Sequence, residues 1–178
     1  MKHLFFFVVI CFSQVLFGQE TKRTGPDTAD VSSIDNIINA YYATTTGPAA
    51  QRDWARYRFL FQPDAQINAR VFGMSGRLQY VHGSLEEFIG QVDEYFTING
   101  YFEREIGRSV HVYRDIAQVF SAYETKLATN QKSYHRGVKS IQLVFDQERW
   151  WIVNVLYNNE SVKDPIPAEY LYKPDPQE

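Results

Sequence analysis

The sequence predicts an α+β domain in which a strongly curved, mixed or antiparallel sheet wraps around three helices from the N-terminal half. The closing stretch, residues 137–160, holds two apolar runs, 141–145 and 150–157, on either side of the polar turn Asp146-Gln147-Glu148-Arg149. Both runs are rich in the β-branched and aromatic residues that pleated surfaces favour, so they read as a hairpin. Two more strand-length stretches precede it, and before those come three segments with helical apolar spacing. Long strands twist and coil, and the helices must lie on one face to bury their stripes.

The N-terminus is read apart from the domain. Lys2 precedes a solid apolar run over residues 4–12, and Gly18 stands before the polar Gln19-Glu20-Thr21-Lys22-Arg23. A short positive region, an apolar core of about 7–15 residues and a small residue before polar sequence describe a secretory leader. A membrane-spanning helix takes about 20 apolar residues, more than this run supplies. The expectation is a signal peptide over 1–18, cleaved near Gly18, and a periplasmic or secreted protein with no membrane association after cleavage. Residues 19–30 read as a flexible lead-in, 31–162 as the domain and 163–178 as a proline-rich tail with Pro165, Pro167, Pro174 and Pro176. Cys11, the single cysteine, leaves with the leader, so neither a disulfide nor a thiolate metal site is expected.

Val31, Ile34, Ile38 and Tyr41 recur with a helical period that Ile37 and Tyr42 widen. Asp30 or Ser32 is the expected cap of this first helix, and Gly47-Pro48 its end. A second helix is expected over 50–61, with Trp54, Tyr57 and Phe61 on one side and Pro63-Asp64 as its stop. Strands follow over 65–72 and 77–82, joined through Gly73-Met74-Ser75-Gly76. Ser84 and Glu87 form a capping box ahead of a third helix whose apolar face is Leu85, Phe88, Ile89, Val92, Tyr95 and Phe96. Asn99-Gly100 closes it. The remainder reads as four long strands, 102–113, 116–127, 135–146 and 149–159.

The Tyr41-Tyr42 helix, Pro63-Asp64-Ala65, the run His82-Gly83-Ser84-Leu85-Glu86-Glu87-Phe88 and the strand Arg149-Trp150-Trp151-Ile152 occur in an order that resembles the nuclear transport factor 2-like (NTF2-like, SnoaL-like) superfamily. The resemblance implies a cone with a pocket between helices and sheet, and a homodimer. It also directs attention to what this chain lacks. Ketosteroid isomerases of that superfamily carry a catalytic Asp four residues after the Ala of their Asp-Ala motif, a position held here by Ala69. Their pocket Asp on the penultimate strand falls at or beside Ile141, and only their first-helix tyrosine has a counterpart, in Tyr41 or Tyr42. Neither the Asp–Arg–Asp trio of limonene-epoxide hydrolases nor the His–Asp pair of scytalone dehydratase finds a match, so no catalytic residue is assigned.

Strict alternation along the strands gives a map of faces. Trp151, Val153, Val155 and Tyr157 share the concave face with Val119, Ser121 and Tyr123. Phe102, Arg104, Ile106 and Val110 take the same side, which sends Glu103 and Glu105 to the opposite face as solvated charge. The predicted ligand-binding residues are Tyr42, Trp54, Tyr57, Tyr95, Arg104, Ser121, Tyr123, Trp151 and Tyr157. Aromatic walls with a few hydroxyls and one arginine suit a small, mostly apolar molecule. The second face is also apolar, whereas an antiparallel sheet with one wet face alternates apolar with polar. The convex face is therefore expected to bury itself in a homodimer through Phe120, Val144, Trp150 and Ile152.

A formal net charge of −3 without a basic stripe speaks against nucleic acid, whose binding rests on neutralised phosphates. His82, His111 and His135 lack metal-ligand spacing, and no metal or other cofactor is expected. Gly73-Met74-Ser75-Gly76 is a hairpin loop, not a nucleophile elbow. The resulting reading is an exported domain that binds a small hydrophobic or aromatic molecule in its cone. One alternative is a cyclase-, isomerase- or dehydratase-type enzyme, which would call for a buried carboxylate or histidine within reach of Tyr123. The other is a dimeric interaction module whose cone is shut by Trp151 and Tyr157.

Overall fold

The structure, a computed structural model, describes residues 25–72, 77–133 and 135–171. The expected leader, the loop at 73–76, Pro174 and Pro176 lie outside the described residues. A 3-10 turn at Thr28–Val31 leads into α1 (Ile34–Thr45), α2 (Trp54–Phe59), β1 (Phe61–Phe72), β2 (Leu78–Ser84), α3 (Leu85–Ile98), β3 (Phe102–Tyr113), β4 (Ile116–Lys126), β5 (His135–Asp146) and β6 (Arg149–Asn159). A further 3-10 turn spans Ala168–Tyr170. The strands form one curved, open sheet in the order β2-β1-β6-β5-β4-β3, mixed because β1 runs parallel to β6 while the other pairs are antiparallel. This is the α+β architecture that the sequence predicts. No helix among the described residues is long and apolar enough to cross a membrane.

Local chemistry sets most boundaries. Ser84 and Glu87 make the predicted capping box, each side chain bonding the other's backbone N–H. The start of α1 differs from expectation. Val31 belongs to the 3-10 turn, and Ser33 caps the helix by accepting from Asn36 N–H. Asp30 is buried instead, taking Arg56 Nε at 2.7 Å and Nη2 at 2.8 Å. Helix α2 is shorter than expected, because Asp53 caps it and Phe61 already belongs to β1. Pro63 and Asp64 sit inside β1 rather than stopping a helix. The β1–β6 ladder breaks between Phe61 and Gln66, so the N–H that proline lacks is not needed there.

Two irregularities decide which side chains enter the cone. The β5–β6 register shifts after Gln142↔Asn154, so that Leu143 faces Ile152. The β3–β4 register shifts between Glu105 and Gly107. A β-bulge inserts one residue, bends the strand and reverses the parity of everything beyond it. On β6 the inward set is therefore Trp150, Ile152, Val155 and Tyr157, not the strict alternation expected. Ile152 is fully buried and Trp150 is partly buried against the core, so both belong to the inner side of the sheet and not to its outer face. Trp151 lies on the other face beside Val144, stacked over the Arg149 guanidinium, and takes no part in the cone. Phe120 does face outward, but Tyr170 stacks on it at 5.1 Å, and Leu171 passes so close to Gly107 that a Cβ there would collide. The C-terminal segment thus covers this part of the outer face from within the chain.

Candidate functional site

At the base of the cone a lysine and a glutamate meet. Lys139 on β5 points inward, between its ladder partners Ser121 on β4 and Tyr157 on β6. Glu103 on β3 points inward because the bulge lies beyond it. Lys139 Nζ stands 2.5 Å from Glu103 Oε1 and 3.3 Å from the Tyr41 hydroxyl. Glu103 Oε2 accepts from Tyr101 Oη at 2.8 Å and Thr125 Oγ1 at 3.2 Å. The ammonium also lies over four tyrosine rings, 4.7 Å from the centroid of Tyr123, 4.9 Å from Tyr41, 5.1 Å from Tyr42 and 5.7 Å from Tyr157. Ring faces are negative and attract a cation at this range. Burial opposes the charge on Lys139, but the negative charge of Glu103 beside it outweighs that opposition and raises its pKa well above the ordinary value. Its ion pair with Glu103 favours the protonated form. Lys139 is a fixed positive charge and a hydrogen-bond donor.

Above this base opens a cavity of about 270 Å³. Lys139, Glu103, Tyr41, Tyr123, Tyr157 and Asn159 form its polar end, and Phe88, Tyr95, Phe96, Val71 and Leu127 form apolar wall. Tyr123 Oη donates to Asn159 Oδ1 at 2.6 Å, which fixes that amide. Gly137, opposite Tyr123 in the ladder, is required here, since a Cβ would lie 2.8 Å from the tyrosine oxygen and collide with the Asn158 carbonyl. Burial pushes the phenol pKa values of Tyr41, Tyr123 and Tyr157 up, so these groups stay neutral donors across the physiological range. Burial lowers the pKa of His135, on the same cavity wall.

A second polar chain runs beside the first and leads outward. The Tyr42 hydroxyl meets Ser121 Oγ at 2.7 Å, and Ser121 donates to Glu105 Oε1 at 2.6 Å. Arg108 holds Glu105 Oε2 through Nη2 at 2.6 Å and reaches Asp35 Oδ1 on α1 at 2.6 Å. This chain ties α1 to β3 and β4. Among the described residues no group of three or more His, Cys, Asp or Glu is placed to hold a metal.

Of the nine residues expected to bind ligand, Tyr95, Tyr123 and Tyr157 line the cavity. Tyr42 and Tyr57 are buried behind it, Tyr57 packing on Tyr41 at 5.9 Å. Ser121 is buried within the second polar chain. Trp54 is turned away, donating to Asp93 Oδ1 at 2.6 Å and stacking on Phe96. Contrary to the expectation, Arg104 lies outside the cone: its side chain is 65% exposed and pairs with Glu124 on the outer face. Trp151 is excluded by the bulge on β6. Alternation counted back from Val110 places Arg104 inside and the glutamates outside, and the bulge between Glu105 and Gly107 reverses both assignments. Two signals of the bulges stand in the sequence. A lone glycine inside a strand, Gly107, often marks one. The apolar spacing two, three, two from Trp150 through Ile152 and Val155 to Tyr157 marks the other. Lys139 carries no such signal, since its meaning arises only from Glu103 two strands away.

No protein-family model and no curated protein matches the chain. Solved structures do. A protein of unknown function with a cystatin-like fold from Nostoc punctiforme aligns with a TM-score of 0.56, at 11% identity, over 72% of this chain and 90% of its own. A candidate ketosteroid isomerase from Parabacteroides distasonis aligns at 0.52, with 14% identity over 79% and 98% of the two chains. An NTF2-like protein of unknown function from Shewanella baltica gives 0.50 at 16% identity, over 72% and 91%. Likeness at such identities is a likeness of fold. With its open, curved six-stranded mixed sheet wrapped around α1 and α3, the protein has the nuclear transport factor 2-like fold.

Proposed function

We infer that this is an exported binding protein whose cone takes a small hydrophobic or aromatic molecule, with no catalytic step assigned. One observation carries the reading: an open cavity of about 270 Å³, walled by Phe88, Tyr95, Phe96 and Leu127, ends on a buried polar base. A space of this size suits a small ring compound. Trp151 does not obstruct the cone, which supports binding over a closed interaction module. Export rests on the leader-like run at residues 4–12. Homodimerisation through the outer face is part of the proposal. It is supported by the exposed apolar side chains of Val112, Tyr113 and Ile116 alongside Val144.

The buried carboxylate of Glu103 is the observation that favours an enzyme, the second reading. Both its oxygens are engaged, by Lys139, Tyr101 and Thr125. Accepting a substrate proton would require it to release one of these donors. Tyr123 bonds Asn159 and not Glu103. This arrangement supports holding a ligand more than moving its protons.

Native mass spectrometry of the protein recovered from the envelope fraction of its own host tests the binding reading. A co-purifying small molecule lost on denaturation is the expected result. A bare chain, together with a thermal-shift screen of aromatic metabolites that moves nothing, removes it.

A further inference from the structure

Donors and acceptors at the base of the cone do not balance. Both Glu103 oxygens are taken, one by Lys139 and the other by Tyr101 and Thr125. The Lys139 ammonium has three N–H donors and, among the described residues, two oxygen acceptors, Glu103 and Tyr41. The Tyr157 hydroxyl and the Asn159 side-chain N–H groups line the same cavity without a hydrogen-bond partner among the described residues, Asn159 using its carbonyl oxygen for Tyr123. These three groups are neighbours on the inner face. Lys139 is opposite Tyr157 in the β5–β6 ladder, and Asn159 follows on the same side of β6. The polar end of the cavity therefore offers a surplus of donors, one of them charged, while its carboxylate is already occupied.

An amine-bearing ligand would meet the Lys139 charge and find Glu103 spoken for. A purely apolar ligand would strand the donors, and a buried donor left without an acceptor is costly. A ligand oxygen with lone pairs satisfies them, and bonds to a charged donor are the stronger kind. We propose, resting on the cone-binding reading above, that the ligand is a small ring compound bearing a carbonyl or carboxylate oxygen. That oxygen is anchored by Lys139, Tyr157 and Asn159, with the ring against Phe88 and Tyr95. The pairing of Lys139 with Glu103 then has a purpose beyond cohesion: it holds the ammonium in place beside the cavity.

The test is an NMR titration of the isotopically labelled protein with four probes that share one ring: benzoate, acetophenone, toluene and benzylamine. Benzoate or acetophenone, or both, should bind at least tenfold more tightly than toluene, and benzylamine should bind weakest. Their relative affinities separate an anionic anchor oxygen from a neutral one. Tyr157→Phe should shrink the advantage severalfold, and the double variant Lys139→Met with Glu103→Gln should abolish it while toluene affinity stays within about twofold. Should the double variant fail to fold, Tyr157→Phe with Asn159→Leu carries the test on an intact ion pair. Equal affinity for the four probes, a preference for benzylamine, or an oxygen advantage that survives the variants would overturn the anchor and leave the cone-binding reading standing. If no ring compound enters the cone, both readings fall together.

Discussion

Lys139 Nζ lies 2.5 Å from Glu103 Oε1, a contact that joins β5 to β3 across the full width of β4. Both side chains are almost sealed from solvent, at 6% and 3% exposure. Taking two charges out of water is costly, and their attraction repays it only when the remaining lone pairs and protons are also satisfied. Here Tyr41, Tyr101 and Thr125 do most of that.

Removing either partner alone should therefore cost far more than removing both. Glu103→Gln and Lys139→Met are each expected to destabilise the fold by about 3–5 kcal/mol, because each leaves one buried charge uncompensated. The double variant should lose much less than the sum of the two. Urea unfolding of the four proteins measures this directly, and strictly additive losses would show that the pair is not coupled.

The tyrosines around the pair should make the fold sensitive to alkali. Burial pushes the pKa of Tyr41, Tyr42, Tyr57, Tyr101, Tyr123 and Tyr157 above the ordinary 10.0. For Lys139 burial acts the other way, but Glu103 raises its pKa above the ordinary 10.5. Groups with a raised folded pKa contribute stability that is fully present below the unfolded pKa and is lost as pH rises through the folded one. Their contribution should thus be constant near neutrality, and stability should fall steeply above about pH 10, where the unfolded chain releases protons that the folded one keeps. Tyrosinate absorbance should show these six rings ionising only together with loss of circular dichroism. Their titration near the ordinary value in an intact fold would contradict their burial.

The two faces of β6 can be separated by mutation. Ile152→Ala should cost about 2–5 kcal/mol, as expected of a core truncation, without altering the oligomeric state. Val144→Glu, on the outer face, should leave the monomer fold intact and convert a dimer to monomers in light scattering. An unmutated protein that already runs as a monomer would end the dimer proposal.

Much of the architecture was legible along the chain. The six strands, the capping box of α3 and the turn at Asp146–Arg149 follow from β-branched runs, a Ser-x-x-Glu pattern and a polar break, all of them local signals. Where local reading failed, a longer-range partner had intervened. Asp30 went to Arg56 instead of capping a helix, and Pro63 was absorbed into a strand at a gap in its ladder. In the site, Tyr123 and Tyr157 were legible because they lie on inward-facing strand positions, and Tyr95 because it belongs to the apolar face of α3. Strict alternation sends Glu103 to the wrong side, and nothing local to β5 marks Lys139.

By itself the sequence determined the order of elements, the curved sheet over helices, and an aromatic-walled cone. These rest on periodicity and propensity, which each segment carries within itself. Only the tertiary structure decided the parity of β3 and β6, because a single inserted residue, placed by the bend of the sheet, turns every later side chain to the other face. That inversion removed Arg104 and Trp151 from the cone and put Glu103 into it. It also let a lysine 36 residues further along the chain find its carboxylate.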